Sequence, residues 1–121
     1  CDASKPYEIL NDDEEKIMFD CISCWEVIEH ISPEALDQFF LNVSNHMKST
    51  SIFIGSISLV SDFHDGRGEF GKSVELHPSV FPKEKWHNEI LNKYFKSDME
   101  YIFYNKLRPE TTSFYVTLRK R

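Results

Sequence analysis

Apolar residues fall along this chain in blocks whose spacing changes from one block to the next. Phe19-Asp20-Cys21-Ile22-Ser23-Cys24 is a short run of apolar or small residues, which reads as a strand covered on both faces. A turn is expected directly after it. Glu26, Glu29 and His30 then recur at i, i+3 and i+4, the spacing that puts three side chains on one face of a helical turn. Ser32 suits an N-cap and Pro33 the first helical position, where its missing N–H costs nothing. Leu36, Phe39, Phe40, Val43 and Met47 keep helical spacing, while Asp37, Asn42 and Lys48 lie off that stripe, so an amphipathic helix packed through its Phe and Met side chains is predicted. Ser49-Thr50 ends it. Ser51 to Ile57 is rich in β-branched and aromatic residues and predicts a second buried strand. Strand, helix and strand in this order imply a parallel pair joined by a right-handed crossover.

The flanking stretches are less regular. Residues 1–18 carry the acidic run Asn11-Asp12-Asp13-Glu14-Glu15, which reads as a solvated loop. Residues 58–80 include Asp62, His64, Asp65, Gly66, Arg67, Gly68, Glu69 and Gly71 without periodicity, and a loop of that length in a small domain is commonly a functional lid. Gly66-Arg67-Gly68 lacks the strand–turn–helix setting of a phosphate cradle. A helix is predicted over about Lys83 to Phe95, with Trp86, Ile90, Leu91 and Tyr94 on one face. Two aromatic-rich strands, Met99 to Asn105 and Thr112 to Leu118, close the chain around a turn at Lys106 to Thr111.

Composition narrows the class without naming it. The chain of 121 residues is long enough for one cored domain and too short for two. No apolar run approaches the roughly 20 residues of a membrane-spanning helix. A net charge of -6 argues against a broad grip on nucleic acid, which needs clustered Lys and Arg. Cys1, Cys21 and Cys24 make an odd count, so a reducing, cytoplasmic setting is expected in place of a disulfide framework. Cys21 and Cys24 stand three apart on a strand and point to opposite faces, which excludes a shared metal or redox role.

Two carboxylates and an imidazole delivered together by one turn are the candidate chemistry. As a metal site, Glu26, Glu29 and His30 suit a divalent ion, with His77 or His64 able to complete the shell. Alternatively His30 is a general base without a metal. In the third reading these residues shape the turn and pack against the sheet.

Phe19-Asp20, the apolar strand and Glu26-Val27-Ile28-Glu29-His30-Ile31 resemble the fourth-strand motif of class I S-adenosylmethionine-dependent methyltransferases, in particular the branch of the ubiquinone-biosynthesis O-methyltransferases. The resemblance implies an α/β fold: the carboxyl-terminal half of a Rossmann-like methyltransferase sheet. Two parallel strands with a crossover helix would be followed by a helix and a terminal antiparallel β-hairpin, one strand inserted between its neighbours. It also implies that residues 1–121 are a partial domain, since the family's first strands and its glycine-rich cofactor loop have no counterpart: Gly55, Gly66, Gly68 and Gly71 all lie in the second half.

By the same resemblance Asp2 and Ala3 match the pair that contacts the cofactor's adenine, and Cys24 and Trp25 line its wall. Glu26 lies near the sulfonium, and His77 stands at the mouth of the site. Glu26, His30 and His77 are then the catalytic candidates, S-adenosylmethionine the cofactor, and magnesium the ion that relatives hold at Glu-x-x-Glu-His. The acceptor is expected to be a hydroxyl oxygen of a small molecule, sugar or glycan. An RNA 2′-oxygen and a non-catalytic, partner-binding module are the alternatives. A half-sheet of this kind exposes the edge and faces of its first strand, so a partner chain or self-association is expected to cover it.

Overall fold

The computed structural model describes residues 2–66, 69–97 and 112–121. Six strands can be named in chain order: β1 (Phe19–Trp25), β2 (Met47–Ser58), β3 (Phe63–His64), β4 (Val74–Glu75), β5 (Phe95–Ser97) and β6 (Ser113–Lys120). The main sheet has the order β1-β2-β6-β5. β1 and β2 run parallel, with Cys24 opposite Gly55 and Trp25 opposite Ser56, whereas β6 is antiparallel to both β2 and β5. The parallel pair is as the sequence predicts, and the insertion of β6 between its neighbours is as the resemblance implies. The predicted strand Met99 to Asn105 and its turn lie outside the described residues.

β1 is an edge strand covered on one face only, which corrects the reading of a strand buried on both. Ile22 and Cys24 face the core, while Cys21, Ser23 and Trp25 are exposed on the other side. The period-2 geometry of a strand produces this split once a single layer of helices packs on the sheet. That layer is α1 (Leu36–Asn45) together with a helical stretch beginning at Lys83. Phe40 of α1 meets Phe53 edge-on at 6.5 Å and Phe95 at 5.8 Å, and Phe53 stacks on Phe95 at 5.7 Å. Edge-to-face and stacked aromatic pairs of this kind each contribute about 0.5–1.5 kcal/mol beyond their buried area.

Three local departures from the expected elements have physical causes. Ser32 precedes a 3-10 turn, Pro33–Ala35, and makes no side-chain cap, so α1 starts only at Leu36. The helix expected over 83–95 is an α turn Lys83–Lys85, a π turn Trp86–Ile90 and a 3-10 turn Leu91–Lys93. The Leu91 N–H bonds to the carbonyls of Trp86 and His87, and the widened turn lets Trp86, Ile90 and Leu91 all be buried. Asn42, polar and off the apolar stripe, is nevertheless buried. Its Nδ2 donates to the carbonyls of Ala3 at 3.1 Å and Lys5 at 2.8 Å.

His46 fastens the amino-terminal segment in the same way. Its Nε2 accepts the Ile9 N–H at 2.9 Å while its Nδ1 donates to the Asn42 carbonyl at 2.8 Å, which fixes one neutral tautomer. The acidic run beyond Ile9 is a tight turn in which Asn11 Oδ1 accepts the N–H groups of Asp13 and Glu15. No described helix is long and apolar enough to cross a membrane.

Candidate functional site

The site begins where β1 stops. Glu26, the residue after Trp25, has φ 52, and its N–H points at the Ser56 carbonyl at 3.4 Å and Ser56 Oγ at 3.2 Å. A left-handed non-glycine residue is held there by its surroundings at a cost of about 1–3 kcal/mol, and such positions cluster at functional turns. Replacing Glu26 by Gly is therefore expected to raise the melting temperature while removing the carboxylate. Thermal unfolding followed by circular dichroism checks this, and an unchanged or lower melting temperature would contradict it.

The left-handed residue also separates Glu26 from the helical turn that follows. The 3-10 turn is Ile28–His30, with Val27 at its N-cap, so Glu26 precedes the turn and does not share the face of Glu29 and His30. Spacing alone predicts that it does. Among the described residues the group whose ligand atoms lie within 4.8 Å of one another is Glu29, His30 and His77.

Glu29 is 0% exposed, and neither of its carboxylate oxygens has a hydrogen-bond partner. Burial raises its pKa above the ordinary carboxylate value. The backbone amide of Glu29 and the neighbouring His77 and His30 pull it down, while the charge of Glu26 adds to the rise. The same burial and the charge of Glu29 push the Cys24 thiol up to about 11, so Cys24 is a packing residue and not a nucleophile.

Both imidazoles are oriented through Nδ1. His30 Nδ1 lies 2.7 Å from the Leu76 carbonyl, and His77 Nδ1 lies 2.7 Å from the Val60 carbonyl. A carbonyl only accepts, so each Nδ1 carries a proton, and in the neutral ring each Nε2 presents a lone pair. The rings meet edge to face at 4.6 Å. Ser79 locks the two segments together: its N–H donates to the Glu29 carbonyl at 3.1 Å and its Oγ to the Ile31 carbonyl at 2.6 Å.

The polar loop after β2 forms a small two-stranded flap, β3 paired antiparallel with β4. Asp62 contacts His64 Nε2 at 3.3 Å and lies 4.0 Å from His77 Nε2. His64 thus adjoins the group without belonging to it. Glu75 accepts the N–H groups of Asp62 and His77 through one oxygen. Burial raises its pKa, but these two bonds and the charge of His77 outweigh that and leave it lowered. Sequence reasoning missed Asp62 and Glu75, because a stretch without periodicity gives no face to assign. Its position after a strand's carboxyl end was the one available signal.

The remaining candidates are placed as follows. Trp25 is 41% exposed, tilted against Tyr115 with ring centroids 6.4 Å apart. Asp2 and Ala3 sit in a turn, with the Asp2 carboxylate accepting from Ser4 N–H and Oγ, and Ala3 packs against the core. The structure thus brings together Glu29, His30 and His77 and leaves Asp2 engaged in a local turn.

No family model and no curated protein matches the chain. Solved structures do match. The PH0226 protein from Pyrococcus horikoshii OT3 is similar over 100% of this chain and 57% of its own, at 20% identity and a TM-score of 0.65. DhpI in its SAH complex is similar over 93% of this chain and 50% of its own, at 10% identity and a TM-score of 0.62. An S-adenosylmethionine-dependent methyltransferase from Clostridium acetobutylicum ATCC 824 is similar over 99% of this chain and 63% of its own, at 18% identity and a TM-score of 0.61. The chain shares the fold of these structures. It spans between half and two thirds of their length. In open α/β sheets ligands sit outside the carboxyl ends of the strands. Trp25, Glu26 and the Glu29–His30–His77 group all stand at that end of β1.

Proposed function

We propose that this chain forms the acceptor side of an S-adenosylmethionine-dependent methyltransferase acting on a hydroxyl oxygen of a small molecule or sugar, and that Glu29, His30 and His77 hold a divalent cation beside that hydroxyl. The observation that carries the reading is the buried Glu29 carboxylate, whose two oxygens lack hydrogen-bond partners beside two imidazoles that present Nε2. A buried carboxylate without a partner is costly unless a cation satisfies it. Histidines that donate Nδ1–H to carbonyls are in the orientation that ligating histidines adopt. Two nitrogens and one carboxylate suit manganese, iron or zinc better than the magnesium expected from sequence, which prefers oxygen.

When held, such an ion lowers the pKa of a hydroxyl and orients its oxygen. S-adenosylmethionine, when bound, supplies the methyl group on a sulfonium. The chain's own residues do the rest. Trp25 lines the cofactor's wall from the open face of β1 while Cys24 packs behind it against the core, Asp2 and Ala3 lie toward the cofactor's adenine end, and Glu26 brings a carboxylate to the end of β1, where positive charge is stabilised. His77 and His30 would hold the ion through Nε2 and so place the acceptor oxygen beside it. Without an ion, the lone pair at His77 Nε2 suits it as the base that takes the hydroxyl proton, with Glu29 and the Asp62 carboxylate, 4.0 Å from Nε2, balancing the imidazolium; the Nδ1 bond to the Val60 carbonyl, which leaves Nε2 for the hydroxyl, is what favours this second reading.

The net charge of -6 disfavours an RNA acceptor. Exposed Trp25 and Phe63 favour a ring-bearing one, phenolic or sugar. The free thiols of Cys21 and Cys24 fit a reducing, cytoplasmic setting.

Transfer of radiolabelled methyl to catechol and to methyl glucoside by the whole protein tests the reading. His77→Ala is expected to lower the rate by about 10² to 10⁴; equal transfer in the variant would overturn it, and absence of transfer to either probe would favour a partner-binding module. Residues 1–121 by themselves are expected to bind S-adenosylmethionine weakly, because Gly55, Gly66, Gly68 and Gly71 all lie after β1 and none follows a first strand as the glycine-rich cofactor turn does. Micromolar binding in a calorimeter would contradict that expectation.

A further inference from the structure

We propose that Glu75 is a positioning residue that holds His77 in its working tautomer by clamping both sides of the flap. The inference deepens the proposed role of His77 and rests on it. One carboxylate oxygen, Glu75 Oε1, accepts the Asp62 N–H at 2.9 Å and the His77 N–H at 2.8 Å. The Leu76 N–H donates back to the Asp62 carbonyl at 2.7 Å. Across the flap Phe63 pairs with Glu75 and His64 with Val74.

These bonds place the backbone of His77 against the segment that also supplies its ring partner, the Val60 carbonyl. Main chain and ring of His77 are therefore both tied to residues 60–62, and Glu75 is the side chain that joins the two strands. A two-residue pairing is too short to hold itself in water, so the side-chain clamp decides whether the flap has one geometry. If the clamp opens, His77 loses the Val60 carbonyl, and its proton is free to exchange between Nδ1 and Nε2. A ring with its proton on Nε2 cannot present that atom to a cation or to a hydroxyl proton.

Glu75→Gln should preserve the clamp, because the amide oxygen accepts the same two N–H groups, whereas Glu75→Ala removes it. The experiment is a long-range proton–nitrogen correlation spectrum of the histidine rings, recorded on residues 1–121 with chelator present at a pH where imidazoles are neutral. Wild type and Glu75→Gln are expected to show His77 with its proton on Nδ1, and Glu75→Ala to show loss of that signature while the His46 signature is retained. His77 keeping the Nδ1 proton in Glu75→Ala would overturn the proposal, as would its loss in Glu75→Gln.

Should Glu75→Ala fail to fold, amide exchange in the wild type decides. Asp62 and His77 amides protected to the same degree support a shared clamp, and free exchange at Asp62 refutes it. Neither readout involves methyl transfer or a bound ion. A protein that transfers no methyl group could therefore still show the clamp, and a catalytically active protein could still lack it.

Discussion

Replacing Gly55 by Ala is expected to destabilise the protein more than the same change at Gly66 or Gly71. Gly55 lies opposite Cys24 in the parallel β1–β2 pair. A Cβ built on it falls far inside van der Waals contact of the Cys24 carbonyl oxygen, a backbone atom that no rotamer change can move. The two strands would have to part where β1 delivers Trp25 and Glu26. Overpacking of this kind costs about 1–3 kcal/mol and occasionally more, a large share of the roughly 5–15 kcal/mol that holds a domain together. Urea unfolding of Gly55→Ala beside Gly66→Ala separates the effect from backbone entropy. A Cβ at Gly66 meets nothing within 4 Å, so its cost comes only from φ +76. Equal midpoints for the two variants would show that β1 and β2 tolerate separation.

The second large effect has the opposite sign. Glu29→Met is expected to stabilise the ion-free protein by about 1–4 kcal/mol at pH 8, the range seen when buried charges give way to apolar residues of similar volume. The pH dependence follows from the raised pKa of Glu29. A carboxyl whose folded value lies above its unfolded one adds stability below the unfolded value, and that contribution is lost as pH rises through the folded value. The advantage of Glu29→Met should thus be largest above neutrality and shrink toward pH 4. Melting curves of both proteins across that range, with chelator present, would show it. A destabilised Glu29→Met at pH 8 would mean that the carboxylate has a structural partner. A stabilised one means that the chain keeps an unfavourable group for a purpose other than folding.

Much of the scaffold is readable from side-chain periodicity because the core is built by residues that repeat with it. Phe39, Phe40 and Val43 on α1 and Phe53 and Ile57 on β2 are buried, as their spacing predicts. Periodicity fails where a polar side chain is satisfied by a distant segment. Asn42 and His46 look like surface residues of a helix, and only their bonds to Ala3, Lys5 and Ile9 explain their burial. It fails again at Glu26, where φ 52 breaks the helical face that the i, i+3, i+4 spacing suggested. His77 is suggested by family resemblance and as one of two histidines able to complete a metal shell, but His30 and Leu76, whose carbonyl orients the His30 ring, stand 46 positions apart with no sequence signal of that contact. Glu75 has no signal beyond the position of its segment after β2, because a clamp through one oxygen depends on where two backbone N–H groups converge.

If Glu29, His30 and His77 act as one cation-holding centre, calorimetric titration of manganese into the protein shows it most directly. One ion per chain in the wild type, with binding lost in Glu29→Met and in His77→Ala while both variants remain folded, is the predicted result. No binding by the wild type, or undiminished binding by both variants, would contradict it.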